Sequence, residues 1–80
     1  MPDHVIAIPS QLGPVLRALR LHRGMSQKTF GERLGVSRQA VSELEKAPQR
    51  AAFDRLHRAC ALLDVEIVLR PRETKRDGGW

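Results

Sequence analysis

Apolar residues recur along this chain at helical spacing in four stretches, and they alternate in the manner of a half-buried strand near residue 65. The first helical stretch runs from Ser10 to about Arg23. Leu12, Leu16 and Leu19 fall on its inner face, Arg17, Arg20 and Arg23 fall largely outward, and Gly24 ends it. Pro14 lies in or near its first turn, where a missing N–H matters least. Two shorter helices are predicted next. Ser26 is placed to cap one that opens at Gln27, and Ser37 to cap one that opens at Arg38 and runs to Glu45. Phe30 and Leu34 form the apolar stripe of the first, Val41 and Leu44 that of the second. Gly35 can take the positive φ that reverses the chain between them, and Val36 fills the corner. Gly31 falls where the two helices approach most closely, so a side chain larger than alanine is expected to push them apart. The spacing predicts a helix-turn-helix over residues 27–45.

The segment KAPQR at 46–50 is expected to be a loop, since Pro48 breaks any helical continuation. A fourth helix is predicted from about Ala51 to Leu63, with Phe53, Leu56, Cys60 and Leu63 on one face and no good N-cap residue at its start. Val65, Ile67 and Leu69 then alternate with Glu66 and Val68, as a strand requires. One strand cannot satisfy its own backbone groups. Two partners are open: the same strand of a second chain, forming an antiparallel ribbon about a two-fold axis, or the β-prone run from Val5 to Ile8 that Pro9 stops. Residues 71–80 are charged, without periodicity and expected to be disordered alone, yet they finish on Trp80, a large aromatic suited to anchoring a partner. The organisation predicted is an arm at 1–9, a folded domain at 10–70 and a tail at 71–80.

Eighty residues allow one domain with a thin core, which oligomerisation would supplement. The net charge of +5, from 14 Lys and Arg against 9 Asp and Glu, suits a polyanionic partner. No apolar run approaches the roughly 20 residues of a membrane span and no signal peptide is evident, so a cytoplasmic location is expected. The lone Cys60 lies on the apolar face of the fourth helix, where a buried thiol in a reducing compartment is the ordinary state. His4, His22 and His57 are far apart, with no carboxylate or cysteine at metal spacing, and there is no glycine-rich phosphate loop. Neither catalysis nor a metal or cofactor is therefore expected.

Met25, Ser26, Gln27, Phe30, Gly31, Leu34, Gly35, Val36, Ser37, Val41, Ser42 and Glu45 together resemble the pattern of the Cro and lambda-repressor-like (Xre) domains. The resemblance implies an all-α fold, a four- to five-helix lambda-repressor-like bundle. It also implies that Arg20 pairs with Glu45 as a structural clamp beside the DNA. The bundle, the strand directly after the last helix and the closing Trp80 are further similar to HipB-type antitoxins, over about Ser10 to Arg70. That likeness implies a homodimer joined through the strand of Val65, Ile67 and Leu69, which represses its own operon at palindromic operators. It also implies capture of a HipA-like serine/threonine kinase toxin, with Trp80 in the toxin contact. A stand-alone Xre-type repressor without a toxin partner is the alternative.

In a helix-turn-helix the second helix lies in the major groove with its N-terminal residues against base edges. Arg38, Gln39, Ser42 and Glu43 are thus the candidate base readers: Arg38 can fork onto guanine, Gln39 can pair bidentately with adenine, and Glu43 can accept from cytosine or repel wrong sequences. Gln27 and Ser37, at the two helix openings, with Lys28, Lys46 and Arg50 around them, are the candidate phosphate contacts.

Overall fold

The computed structural model describes residues 3–72. Among these residues the fold is all-α: α1 (Leu12–His22), α2 (Gln27–Leu34), α3 (Arg38–Lys46) and α4 (Phe53–Leu62), with 3-10 turns at Pro9–Gln11 and Pro48–Arg50. The first helix does not open on Ser10. Pro9 begins a 3-10 turn, and the Gln11 carboxamide reaches back to accept from the amides of Ala7 at 2.6 Å and Ile8 at 3.2 Å. The 3-10 turn takes up Pro9–Gln11, so α1 starts two residues later than expected, at Leu12.

The two serine caps form as predicted. Ser26 accepts from the Thr29 amide and Ser37 from the Ala40 amide, each at 3.0 Å. Gly35 closes α2 at φ 82°, which lets its own amide and that of Val36 both return to the Gly31 carbonyl. Helix α3 runs one residue past Glu45, and the predicted 46–50 loop is half occupied by the turn that Pro48 opens. At the end of α4 Asp64 takes φ 60°, a position glycine usually fills and aspartate tolerates, and the Val65 amide returns to the Cys60 carbonyl.

The core is a single cluster: Leu16 and Leu19 of α1, Met25 in the turn after it, Phe30 and Leu34 of α2, Val41 and Leu44 of α3, and Ala59, Cys60 and Leu63 at the end of α4. Burial pushes the Cys60 thiol above its ordinary pKa. Two expected orientations are corrected. Phe53 is 63% exposed, with the ring of His57 nearby at 6.2 Å between centroids. At about 100° per residue Phe53 shares the face of Cys60, but it stands at the N-terminal end of α4 whereas the fully buried residues, Ala59 and Cys60, lie toward the other end. Arg20, expected to lie largely outward, is buried, because a carboxylate meets it inside.

The predicted strand at 65–69 is not formed. Residues 65–72 carry no regular structure, and among the described residues no backbone bond joins them to Val5–Ile8 or to any other segment beyond the Val65 turn. An extended segment becomes a strand only when a second one lies alongside to complete its ladder. Neither of the two pairings considered is present in the single chain. Trp80 lies outside the described residues.

Candidate nucleic-acid interface

The helix-turn-helix is set by close backbone contacts. A β-carbon on Gly31 would stand 2.8 Å from the Val36 carbonyl oxygen and 3.2 Å from that of Ser37. Even alanine is thus too large there, and what it would strike is the turn itself rather than the facing helix. A second contact of this kind escaped the sequence pattern. A β-carbon on Gly13 of α1 would overlap the carbonyl oxygen of Glu45 at the end of α3. Gly13 therefore lets α1 lie directly on the backbone of the second helix of the motif.

Four hydrogen bonds around one carboxylate and one guanidinium fix this crossing. Arg20 donates from Nε to Glu45 Oε2 at 2.6 Å and from Nη2 to Oε1 at 3.3 Å, while its Nη1 donates to the Met25 carbonyl at 2.7 Å. Gln27 donates from Nε2 to Glu45 Oε1 at 3.2 Å. Both charged side chains are buried, and no buried side-chain polar atom among the described residues lacks a partner. A bidentate, desolvated pair of this kind is strongly directional. It ties α1, the start of α2 and the end of α3 to one another, and it holds the Gln27 amide in place.

Held in this way, α3 turns Val41 and Leu44 into the core and leaves Arg38, Gln39, Glu43 and Lys46 exposed, with Ser42 half-buried between them. These five outward residues and Gln27 line one open depression. All four predicted base readers and two of the predicted phosphate contacts are therefore gathered on one face. Lys28, Ser37 and Arg50 are exposed but do not line the depression. The lining carries two cations, Arg38 and Lys46, against the single carboxylate of Glu43, and the positive end of the α3 dipole opens beside it. Arg58 of α4 supports the face from behind. Its Nη2 donates at 2.6 Å to the Leu34 carbonyl at the end of α2. Its only signal in the sequence was a basic residue on α4. Among the described residues, no three His, Cys, Asp or Glu side chains come together as a metal site would need, and no helix is long and apolar enough to cross a membrane.

A helix-turn-helix family profile matches residues 16–69, well over half of the chain. The chain belongs to the Xre-like helix-turn-helix family. Among curated helix-turn-helix proteins it is similar to an uncharacterized HTH-type transcriptional regulator of Sinorhizobium medicae (strain WSM419). The two are 32% identical over 72 residues, which is 90% of this chain and 52% of that protein. An uncharacterized HTH-type transcriptional regulator, y4wC, of Sinorhizobium fredii is 37% identical over 60 residues, 75% of this chain and 42% of that one. The chain thus spans about half the length of the curated relatives it matches. Among solved structures, a HipB–O1–O2 complex aligns at a TM-score of 0.77 and 19% identity, covering 86% of this chain and all of that one. A HipA–HipB–O2–O3 complex aligns at 0.79 and 18%, covering 89% of this chain and all of that one. At these identities the likeness is one of fold.

Proposed function

We propose that this helix-turn-helix domain is a sequence-specific binder of duplex DNA that represses transcription. The observation that carries the reading is the open face of α3, where Arg38, Gln39, Ser42 and Glu43 stand together with Gln27 and Lys46, on a helix tied to α1 and α2 through Glu45. Arg38 and Gln39 occupy the N-terminal turn of α3, the part of the helix that meets base edges, and their forked donors suit guanine and adenine. Gln27, Lys28 and Ser37 near that turn, and Lys46 and Arg50 at and beyond the other end of α3, would meet phosphates, fixing the register of the helix in the groove. Two copies joined through residues 65–69 would read half-sites about 34 Å apart, one helical turn of DNA.

The test is a mobility-shift and footprint comparison on DNA from the protein's own promoter. Arg38→Ala is expected to remove about 1 to 3 kcal/mol of discrimination at one base pair. Lys46→Ala is expected to weaken all sequences alike and to flatten the salt dependence. A footprint whose sequence preference survives Arg38→Ala unchanged overturns the role given to Arg38.

Within this reading, the HipB-like fold favours an antitoxin that also captures a HipA-like serine/threonine kinase, with Trp80 in the contact. A stand-alone repressor is favoured instead by the curated relatives, which are described only as regulators. Co-purification with the product of the adjacent gene separates the two. A chain ending at Gly79 that still binds and neutralises such a kinase fully would remove Trp80 from the account.

A further inference from the structure

Two glutamines line the depression on the α3 face, and only one of them is occupied. Gln27 gives its Nε2 to Glu45 Oε1 at 3.2 Å. The Gln39 carboxamide, exposed in the first turn of α3, meets no hydrogen-bond partner among the described residues. Its acceptor and its donors are all left for a base, and the groove edge of adenine, N6–H with N7, takes one of each. This pairing differs from the one open to Arg38. A guanine edge consists of two acceptors, O6 and N7, and has no proton to replace. Adenine N6 carries two protons, of which thymine takes one. The other is the only one that Gln39 Oε1 can accept.

We infer that this face reads the methylation state of its site as well as the sequence: one N6-methyl group on the adenine that Gln39 engages excludes the protein. The inference rests on the base-reading role proposed above and deepens it. In a paired adenine the thymine-facing proton stays, so a methyl group on N6 takes the place of the groove-facing one. The Gln39 oxygen would stand about 2.9 Å from N6 along the direction of the methyl carbon, which is itself about 1.5 Å from N6. Carbon and oxygen would then be about 1.4 Å apart, against the roughly 3.3 Å of their closest ordinary contact. Each way of relieving that overlap gives up something else. Turning the carboxamide aside forfeits both of its bonds to the base. Lifting the helix takes Arg38 and Ser42 off their bases too, since the three share the first two turns of α3. Withdrawing α3 into the bundle is resisted by the buried Val41 and Leu44 and by the crossing at Gly13, where no β-carbon fits against the Glu45 carbonyl. Backing the whole protein away lengthens every phosphate contact.

The test uses DNA from the protein's own promoter, footprinted first, and then duplexes in which N6-methyladenine replaces each adenine of the footprint in turn. The full chain is expected to bind about tenfold more weakly, or worse, when the adenine under Gln39 is methylated, and to change less than about threefold at adenines it does not contact. Because methylation also loosens the base pair itself, two variants carry the assignment, with circular dichroism to verify that each keeps its helices. Gln39→Ala should bind unmodified DNA more weakly and be indifferent to the methyl group at that adenine. Gln39→Leu, which offers an apolar surface and no acceptor, should bind the methylated duplex at least as well as the unmodified one. Low salt keeps both variants within measurable range through their phosphate contacts. Absence of any footprint overturns the DNA-binding reading and this inference with it. A footprint in which no adenine is sensitive to methylation overturns the inference alone. A sensitivity that both Gln39 variants retain refutes Gln39 as the group that senses the methyl.

Discussion

Replacing Glu45 by leucine isolates the energetic centre of the domain. The substitution roughly keeps the volume but removes both acceptors of the Arg20 fork and the acceptor of Gln27 Nε2, leaving Arg20 with the Met25 carbonyl alone in a site shielded from water. Stranding a buried charge in this way costs about 3 to 5 kcal/mol, far more than the 0 to 1 kcal/mol of an exposed pair. At roughly 0.05 to 0.15 kcal/mol per residue, a domain of this size has about 4 to 12 kcal/mol in total. Glu45→Leu is therefore expected to take away between a quarter and all of the stability. With a urea slope near 1 kcal/mol/M, the midpoint should move by about 3 M or more, so that a domain at the lower end of that range unfolds in buffer. The decisive comparison is the double variant Arg20→Met, Glu45→Leu, in which neither charge remains. It should recover to within about 1 to 2 kcal/mol of the parent, because an apolar pair of similar size fits where a desolvated ion pair stood. Urea titrations followed by circular dichroism on the four proteins of this cycle give the coupling directly. A single-variant loss below 1 kcal/mol, or a double variant no better than Glu45→Leu, refutes the claim that the pair is buried and mutually dependent.

Three further outcomes are expected. Gly13→Ala forces α1 away from the Glu45 carbonyl; displacement costs about 1 to 3 kcal/mol and the gain in helix propensity returns about 1, so a thermal melt should show net loss, and a stabilised variant would contradict the close crossing. Arg58→Ala removes the donor to the Leu34 carbonyl, a charge-assisted bond worth about 1.5 to 3 kcal/mol at its strongest, and should lower the urea midpoint while α3 keeps its surface; no change in midpoint would make the contact incidental. Burial raises the Cys60 pKa, so the folded protein keeps the thiol protonated while the unfolded chain ionises near the ordinary 9.0. Stability relative to Cys60→Ala should hold at neutral pH and fall as pH rises past that value, and denaturation curves at pH 7 and pH 10 that differ equally for both proteins would refute it.

The parts of the fold legible in the sequence are those specified by local chemistry. Ser26 and Ser37 cap because a hydroxyl three residues before an unpaired amide is sufficient by itself, and Gly35 ends α2 because a left-handed residue needs no tertiary support. What eluded the pattern depends on neighbours distant in sequence. Gly13 reads as a weak helix residue until the Glu45 carbonyl is known to lie against it, and Phe53 reads as core until α4 is known to bury itself fully only toward its C-terminal end. The start of α1 belongs to the same class, since the 3-10 turn that Pro9 opens, with Gln11 bonded back to the amides of Ala7 and Ile8, occupies the place of the predicted first turn. Of the candidate site, the six residues of the depression follow from the period of a single helix and one clamp. Lys28, Ser37 and Arg50 were chosen by position along the chain and do not line it.

The same contrast bears on how specificity would be built. A recognition helix of nine residues has only about two and a half turns, too few to hold its own orientation, so the accuracy of Arg38 and Gln39 in a groove is set by whatever fixes α3 from behind. Two devices do so at one end: the Gly13 crossing sets the distance of α1 from α3, and the Arg20–Glu45 fork sets the angle. Gln27 shares the Glu45 acceptor, so the residue expected on a phosphate and the helix expected on the bases are oriented by the same carboxylate. Glu45→Gln keeps the size of that side chain and one acceptor while removing its charge. In a variant that remains folded, binding should weaken for all sequences through Gln27 and should also lose discrimination through Arg38. Losing only one of the two would show that Glu45 steadies the fold without linking phosphate contact to base reading.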